Sequence, residues 1–371
     1  MTEQTETIAL LRNSAAGFAK FDGKRIRGWR GNAPGFDRDL WGRMAAQGWF
    51  SILAAEEEGG LGLGVEAAAA VAEQLGRACA PEPFVASGVL GPALLSQATN
   101  QALKQDLMPA VLSGDLLVSL AWQPAGGALP PESTGVTAQR RNGGLVLDGD
   151  ARFINPAQAD GYMVLAREPG GLLLVWVDAK AFDGALSEEP GPDGIPSGRL
   201  RLSGIELADS AVLMSGNRVA EAVQGALDQA VIVQSAELCG LMQRALDMTL
   251  DYLKTRQQFG VAIGSFQALQ HRSVDLFIQQ ELARHATAAA IQKAEAGAAG
   301  RDLSLAASSA KARAAEAAMT IGTQAIQLHG AIGFTDEYDL GLYVNRIVRL
   351  AASLGNAAWH RRRFGDLSEG A

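Results

Sequence analysis

The chain has 371 residues and carries 40 acidic against 32 basic side chains, a formal charge of -8. Hydrophobic residues at 48% and charged residues at 19% are the mix of a globular protein, which excludes intrinsic disorder. The acidic balance argues against nucleic acid or an anionic membrane as the main partner, because both require a basic face.

From the N-terminus to about residue 119 the pattern is helical. Leu40, Trp41, Met44 and Gly48 follow helical spacing, and Val65 to Ala78 is an alanine-rich helix with apolar i, i+3 and i+4 positions. Between them lies Glu56-Glu57-Glu58-Gly59-Gly60-Leu61-Gly62-Leu63-Gly64. This is no phosphate loop: the glycines miss the GxGxxG spacing, no β-branched strand precedes them, and three glutamates would repel a pyrophosphate. A tight turn between helices is expected there. From 120 to 213 the period shortens. Val136–Arg140 and Leu145–Leu147 flank Arg141-Asn142-Gly143-Gly144, a hairpin turn whose Asn-Gly pair accepts positive φ. Short runs at Gly161–Arg167, Gly171–Val177 and Leu200–Leu207, separated by Gly, Pro and Asp, read as antiparallel strands. From 214 onward helices return. Leu238, Leu241, Met242, Ala245, Leu246 and Leu253 form one apolar stripe, and Val274, Phe277, Ile278 and Leu282 form another. Gln280 to Ala325 predicts two long helices, broken near Gly297-Ala298-Ala299-Gly300 and restarted by Asp302. The fold class is therefore α+β, mostly α: an N-terminal helical domain over 1–119, a middle antiparallel β-domain over 120–213 and a C-terminal helical domain over 214–371.

No apolar run reaches the ~18–20 residues of a spanning helix, and the start, Met1–Glu6, lacks the basic and apolar regions of a signal peptide. Cys79 and Cys239 lie too far apart for a CxxC pair, and His271, His285, His329 and His360 have no metal-ligand spacing. A reducing cytoplasm, no membrane span and no metal are the expectations.

Three C-terminal segments are more specific than periodicity. Tyr252-Leu253-Lys254-Thr255-Arg256-Gln257-Gln258-Phe259-Gly260 is followed by Ile263-Gly264-Ser265-Phe266-Gln267-Ala268-Leu269-Gln270, and later by Gln327-Leu328-His329-Gly330-Ala331-Ile332-Gly333-Phe334-Thr335. With Trp41, Gly48, Glu57, Gly59-Gly60-Leu61-Gly62 and Leu75-Gly76-Arg77, these resemble the acyl-CoA dehydrogenase superfamily over nearly the whole chain. The resemblance implies a C-terminal four-helix bundle, FAD held between subunits of a dimer or tetramer, and an acyl-CoA substrate. It also implies an electron-transferring flavoprotein as acceptor. In the family the segment around Arg256, Gln258, Phe259 and Gln267 reaches a neighbour's FAD pyrophosphate and adenosine, and Gln327, Gly330 and Ala331 line the same site. The chemistry is consistent: a guanidinium answers a diphosphate, and glycine lets backbone approach a flat cofactor. Ala331 replaces the family's usual second glycine.

The family removes an α-proton with a glutamate and passes a β-hydride to the flavin. Both usual seats of that glutamate are empty here. The Glu-Gly-Thr loop corresponds to Leu354-Gly355-Asn356, and no Asp or Glu occurs from Leu340 to Gly365. The second seat, on the first C-terminal helix, is Ala230. Asp228 would be about 200° around that helix from it, and Glu237 about 10 Å further along. The segments that hold the flavin ring differ as well: they read Trp122-Gln123-Pro124-Ala125-Gly126-Gly127-Ala128-Leu129 and Arg152-Phe153-Ile154-Asn155. Phe153 and Ile154 keep the shape of that contact, while Asn155 replaces a hydroxyl residue.

This asymmetry resembles the small subunit of pimeloyl-CoA-type and other hetero-oligomeric acyl-CoA dehydrogenases, which completes a second family member's FAD site. A self-sufficient dehydrogenase with an atypical base and a non-redox structural or binding relative stay open as alternatives. Among other features, Trp359-His360-Arg361-Arg362-Arg363 reads as a solvated helix end suited to the helix dipole, or as an attractor for a cofactor phosphate or an acidic partner. His329 is expected to support its turn, and Asp336 and Glu337 to cap the next helix.

Overall fold

The computed structural model describes residues 3–141, 143–182 and 184–369. The N-terminal helices are α1 (Glu3–Phe18), α2 (Gly23–Gly28), α3 (Arg38–Ala46), α4 (Gly64–Arg77), α5 (Leu90–Ser96) and α6 (Gln101–Leu112). Then come β1 (Val118–Ala121), β2 (Val136–Arg141), β3 (Gly144–Ile154), β4 (Gly161–Glu168), β5 (Gly171–Asp178), β6 (Leu186–Glu189), β7 (Ser197–Ala208) and β8 (Val212–Gly216). The rest is α7 (Val219–Thr255), a small hairpin of β9 (Gln257–Gln258) and β10 (Val261–Ala262), then α8 (Gln267–Glu295), α9 (Gly300–His329), α10 (Leu340–Ala352) and α11 (Ala357–Glu369). The chain forms two compact units, one of Met1–Gly28, Val65–Ala80 and Val231–Ala371, the other of Trp29–Gly64 and Pro81–Ala230.

The second unit is built on an eight-stranded sheet in the order β6-β7-β3-β2-β4-β5-β8, with β1 added beside β4. Its pairings are antiparallel except for β1 with β4 and β2 with β4, which are parallel. The β2–β3 hairpin has the expected register, Arg141 opposite Gly144, and Gly143 has φ 77°. Asn142 of that turn lies outside the described residues. β4 and β5 are buried along most of their length, which is why Tyr162–Ala166 and Leu172–Val175 read as continuous apolar runs and not as an alternation. Glu56–Glu58 forms a single 3-10 turn closed by Gly59 at φ 81°, as a turn between helices requires.

In the first unit, Leu238, Leu241, Met242, Ala245 and Leu246 of α7 pack in one core with Ala314, Ala318, Ile321 and Ala325 of α9 and Tyr343, Ile347 and Leu350 of α10. Alanine on α9 removes side-chain bulk and lets these helices approach closely. Close approach is stricter still where α4 meets α7. A Cβ on Gly76 would run into the carbonyl of Glu237, and one on Gly240 into the carbonyl of Glu73.

The stripe on α8 behaves otherwise. Its buried face is Leu276, Gln280, Ala283, Thr287 and Ala290, whereas Val274, Phe277, Ile278 and Leu282 are 56%, 53%, 46% and 50% exposed. These four apolar side chains are thus turned away from the core of their own unit.

Candidate active site

The carbonyls at the C-terminal end of α10 have no partners further along the helix and must find them elsewhere. The chain supplies partners for this end of α10 and the loop behind it from three other helices. Lys311 of α9, fully buried, donates to the carbonyl of Leu350 and to Gln234 Oε1 of α7. Gln234 Nε2 donates to Ser353 Oγ at 2.9 Å. His360 of α11, also fully buried, reaches the carbonyl of Leu354 through Nε2 at 2.9 Å, and its Nδ1 stands 3.3 Å from Ser308 Oγ. Burial pushes the Lys311 ammonium down to about 7, partly opposed by the Glu237 carboxylate. Burial, with the nearby Lys311 charge, pushes His360 down to about 3. Leu354 itself adopts φ 54°, a left-handed conformation that costs an L-residue roughly 1–2 kcal/mol. Gly355 follows at φ 102°, and a Cβ there would lie 2.7 Å from His360 Nε2.

This arrangement corrects the sequence expectation for residues 359–363. The cluster sits in the first two turns of α11, not at its C-terminal end, so the helix dipole does not favour it. Two of its three guanidinium groups are instead engaged: Arg363 donates to Ser304 at 2.8 Å and Ser308 at 3.3 Å, and Arg361 pairs with Glu316 at 2.9 Å. Asp336 and Glu337 do not cap α10 either. Asp339 directly precedes that helix and pairs with Arg27 at 2.7 Å, while the Asp336 carboxylate lies 3.6 Å from the same guanidinium. The signal for the Lys311 network was present in the sequence, since Lys311 falls on the apolar stripe of α9 with Ala307, Ala314 and Ala318.

The alternative base seats carry no free acid. Ala230 is fully buried and Asp228 is 1% exposed. Glu237 is held by Arg346 at 3.0 Å, with both side chains 7% exposed.

The other predicted residues of the first unit cluster at two chain reversals. α7 ends just before Arg256, whose carbonyl accepts from Ile263 N at 2.8 Å, closing the β9–β10 hairpin. Phe259 at the tip has φ 54° and is 92% exposed, with its ring edge-on to Phe266 at 6.2 Å between centroids. Arg256, Gln258 and Gln267 are exposed on the same reversal, and Gln267 opens α8. At the end of α9, Gln327, Gly330 and Ala331 are exposed, and Gly330 has φ 65° with open space where a Cβ would stand. His329 supports this turn as expected. Its Nδ1 donates to Ala325 O at 2.8 Å, Nε2 faces the Tyr338 hydroxyl at 3.2 Å, and its ring stacks on Tyr252 at 4.5 Å. Burial holds its pKa below the usual imidazole range.

In the second unit the two segments that the resemblance assigns to the flavin ring are brought side by side. Gln123 bridges to Arg152, and the Gly127 turn faces the Phe153 ring. Phe153 has φ 60° and is 44% exposed, with Arg152 stacked 4.9 Å over its ring and tied to Glu189 at 2.6 Å. Ile154 is buried and Asn155 half-buried.

Comparison with known proteins gives the family. Residues 5–115 match the family model for the acyl-CoA dehydrogenase N-terminal domain, and residues 220–366 that for the C-terminal domain. The acyl-CoA dehydrogenase FadE27 of Mycobacterium tuberculosis is 31% identical over 350 residues, covering 90% of this chain and 89% of its own. The acyl-CoA dehydrogenase IpdE2 of the same organism is 31% identical over 342 residues, covering 92% and 88%. Among solved structures, the Tcur3481-Tcur3483 steroid ACAD superposes with a TM-score of 0.87 at 29% identity over 99% of each chain. The ChsE4-ChsE5 complex from Mycobacterium tuberculosis has the same fold, with a TM-score of 0.87 at 24% identity over 100% of this chain and 98% of its own. The chain belongs to the acyl-CoA dehydrogenase family, a family of oxidoreductases acting on the CH–CH bond of acyl-CoA thioesters.

Proposed function

We propose that this chain is the partner subunit of a two-component acyl-CoA dehydrogenase, completing the FAD site of a second, glutamate-bearing family member while lacking a base of its own. One observation carries the reading. Position 354 holds a leucine on a chain stretch, 340–365, without any carboxylate, and the only acid near the second seat on the same helix face, Glu237, is occupied by Arg346.

The residues fit the cofactor unevenly. Arg256, Gln258 and Gln267 are exposed on one chain reversal with the open Phe259 ring, and Gln327 on the other with the small residues Gly330 and Ala331; the two reversals offer one guanidinium and three amides. That set suits a pyrophosphate and an adenine: the guanidinium offsets charge in paired hydrogen bonds, the amides donate, and the ring offers an apolar face. Phe153, Ile154 and Asn155 offer mainly shape to an isoalloxazine ring. Bound FAD would supply the oxidant that takes the β-hydride of the acyl-CoA. Leu354 can take no proton, so the α-proton is left to a carboxylate of the partner. The exposed stripe of Val274, Phe277, Ile278 and Leu282 on α8, together with Phe259, supports assembly through this helix, because contiguous exposed apolar area of this kind marks an interaction surface. The two-chain name of the Tcur3481-Tcur3483 steroid enzyme supports the same assembly and a bulky acyl group. Among the described residues no helix is long and apolar enough to cross a membrane, and both cysteines are free and buried; a cytoplasmic enzyme feeding an electron-transferring flavoprotein is the corresponding placement.

The test is purification of the chain alone and together with a Glu-bearing family member, recording the flavin spectrum and acyl-CoA-dependent reduction of an artificial acceptor. The expected result is a colourless or inactive single chain and a yellow, active pair. A yellow single chain with normal turnover would overturn the proposal in favour of an atypical base. A pair that stays colourless would overturn it in favour of a non-redox role.

A further inference from the structure

Helices that stop on a left-handed residue normally place glycine or asparagine there, because other side chains resist that conformation. After α10 the left-handed residue is Leu354, with Gly355 also at positive φ immediately behind it. The conformation is therefore imposed by what binds the backbone and not by the preference of the residue. Leu354 O can only accept, so His360 carries its proton on Nε2, which leaves Nδ1 to accept from the Ser308 hydroxyl. Ser308 Oγ in turn accepts from Arg363, giving a one-directional relay from guanidinium to hydroxyl to imidazole to the Leu354 carbonyl. A second arm, from Lys311 to Leu350 O and through Gln234 to Ser353 Oγ, holds the residues just before it. Lys311, Ser308 and His360 are all fully buried, and the two arms together draw on α7, α9 and α11.

We propose that His360 and Lys311 are positioning residues that hold residue 354 in its left-handed conformation, so that the loop keeps the backbone stance of a base-bearing loop although its side chain cannot take a proton. The inference rests on the reading above that position 354 is an empty base seat. It adds that the seat is still assembled: a carboxylate placed there would meet the α-carbon of a bound acyl-CoA without rebuilding of the backbone.

Two readouts test this, on the full chain co-purified with its partner where one is needed. The first is the backbone at residue 354 in crystal structures of H360F, which keeps the ring but removes both nitrogens, and of H360Q, whose amide can still donate to the Leu354 carbonyl. Residue 354 is expected to leave the left-handed region in H360F and to stay in H360Q; retention in H360F overturns the proposal. Should H360F not accumulate as folded protein, S308A breaks the relay with the imidazole in place and is read the same way. The second readout is deuterium uptake at C2 of octanoyl-CoA and hexadecanoyl-CoA in deuterated buffer, in which a carboxylate removes the C2 proton, the electron pair rests on the thioester enolate and a deuteron returns. L354E is expected to raise uptake about 100-fold over the parent. Adding H360F should lower it about 10-fold or more, and adding H360Q should leave it within about 3-fold. Equal uptake in L354E and L354E/H360F overturns the positioning role. If L354E takes up no deuterium while H360F still displaces residue 354, the positioning role stands and the base-seat reading fails.

Discussion

Replacing Lys311 by methionine tests whether a buried ammonium sets the pH dependence of the first unit. Lys311 has no exposed surface, and burial lowers its pKa from 10.5 to about 7. Between those two values the folded chain binds fewer protons than the unfolded chain, so this residue makes stability rise with pH, by at most about 1.4 kcal/mol per pH unit. Below about pH 7 both states carry the proton and the contribution is flat. In K311M that slope disappears, while Gln234 Oε1 and Leu350 O lose their donor at any pH, for about 1–3 kcal/mol each. At pH 10 only the lost hydrogen bonds separate the proteins, so K311M is the less stable. At pH 7 the gap shrinks by roughly 4 kcal/mol, three pH units at about 1.4 kcal/mol each, which brings K311M to within about 2 kcal/mol of the parent. Guanidinium unfolding of both proteins at half-unit steps from pH 6 to 10 measures the difference, and subtracting the curves cancels the titrating groups that do not interact with Lys311. A gap that is constant with pH would refute the reasoning, because it would mean that Lys311 keeps its charge in the fold at ordinary cost.

Three further outcomes follow from single contacts. G240A should lower the melting temperature by the equivalent of about 1–3 kcal/mol or more, since its methyl would enter the Glu73 carbonyl and the amide of Arg77 stands 2.9 Å away; an unchanged thermal midpoint would show that α4 and α7 do not cross this closely. R346M should destabilise by about 3–5 kcal/mol by leaving Glu237 buried without its guanidinium, and E237Q/R346M should recover most of that loss in the same chemical denaturation series. F259S should change the chain's own stability by no more than about 0.5 kcal/mol, because the ring is 92% exposed, yet weaken assembly with the partner in sedimentation velocity runs.

Periodicity carried the sequence reading far where one rule governed a segment. The helix over Val65–Ala78, the break near Gly297–Gly300 and the Arg141–Gly144 hairpin follow from side-chain period and glycine conformational freedom alone. It was less informative where two demands act on one helix. The stripe Val274, Phe277, Ile278 and Leu282 has the signature of a core-facing side, yet α8 buries Leu276, Gln280, Ala283, Thr287 and Ala290 instead. Hydrophobicity says that a face wants cover; it does not say whether the same chain provides it. The basic run at 359–363 was misplaced for a different reason: the start of α11 at Ala357 depends on the Leu354–Gly355 reversal, which a leucine does not announce. Arg256, Gln258, Gln267 and Gln327, the proposed cofactor donors, were singled out by motif and are exposed, whereas the Lys311–His360 network joins residues from four helices and has no motif.

The most direct measurement is the flavin content of the two-component assembly, with and without R256A in this chain. If this subunit donates its Arg256 arm to a site whose ring half belongs to the partner, the intact assembly holds half as many flavins as chains, and R256A bleaches it although the partner's sequence is untouched. A flavin on every chain, or full retention of flavin by the R256A assembly, would contradict the account.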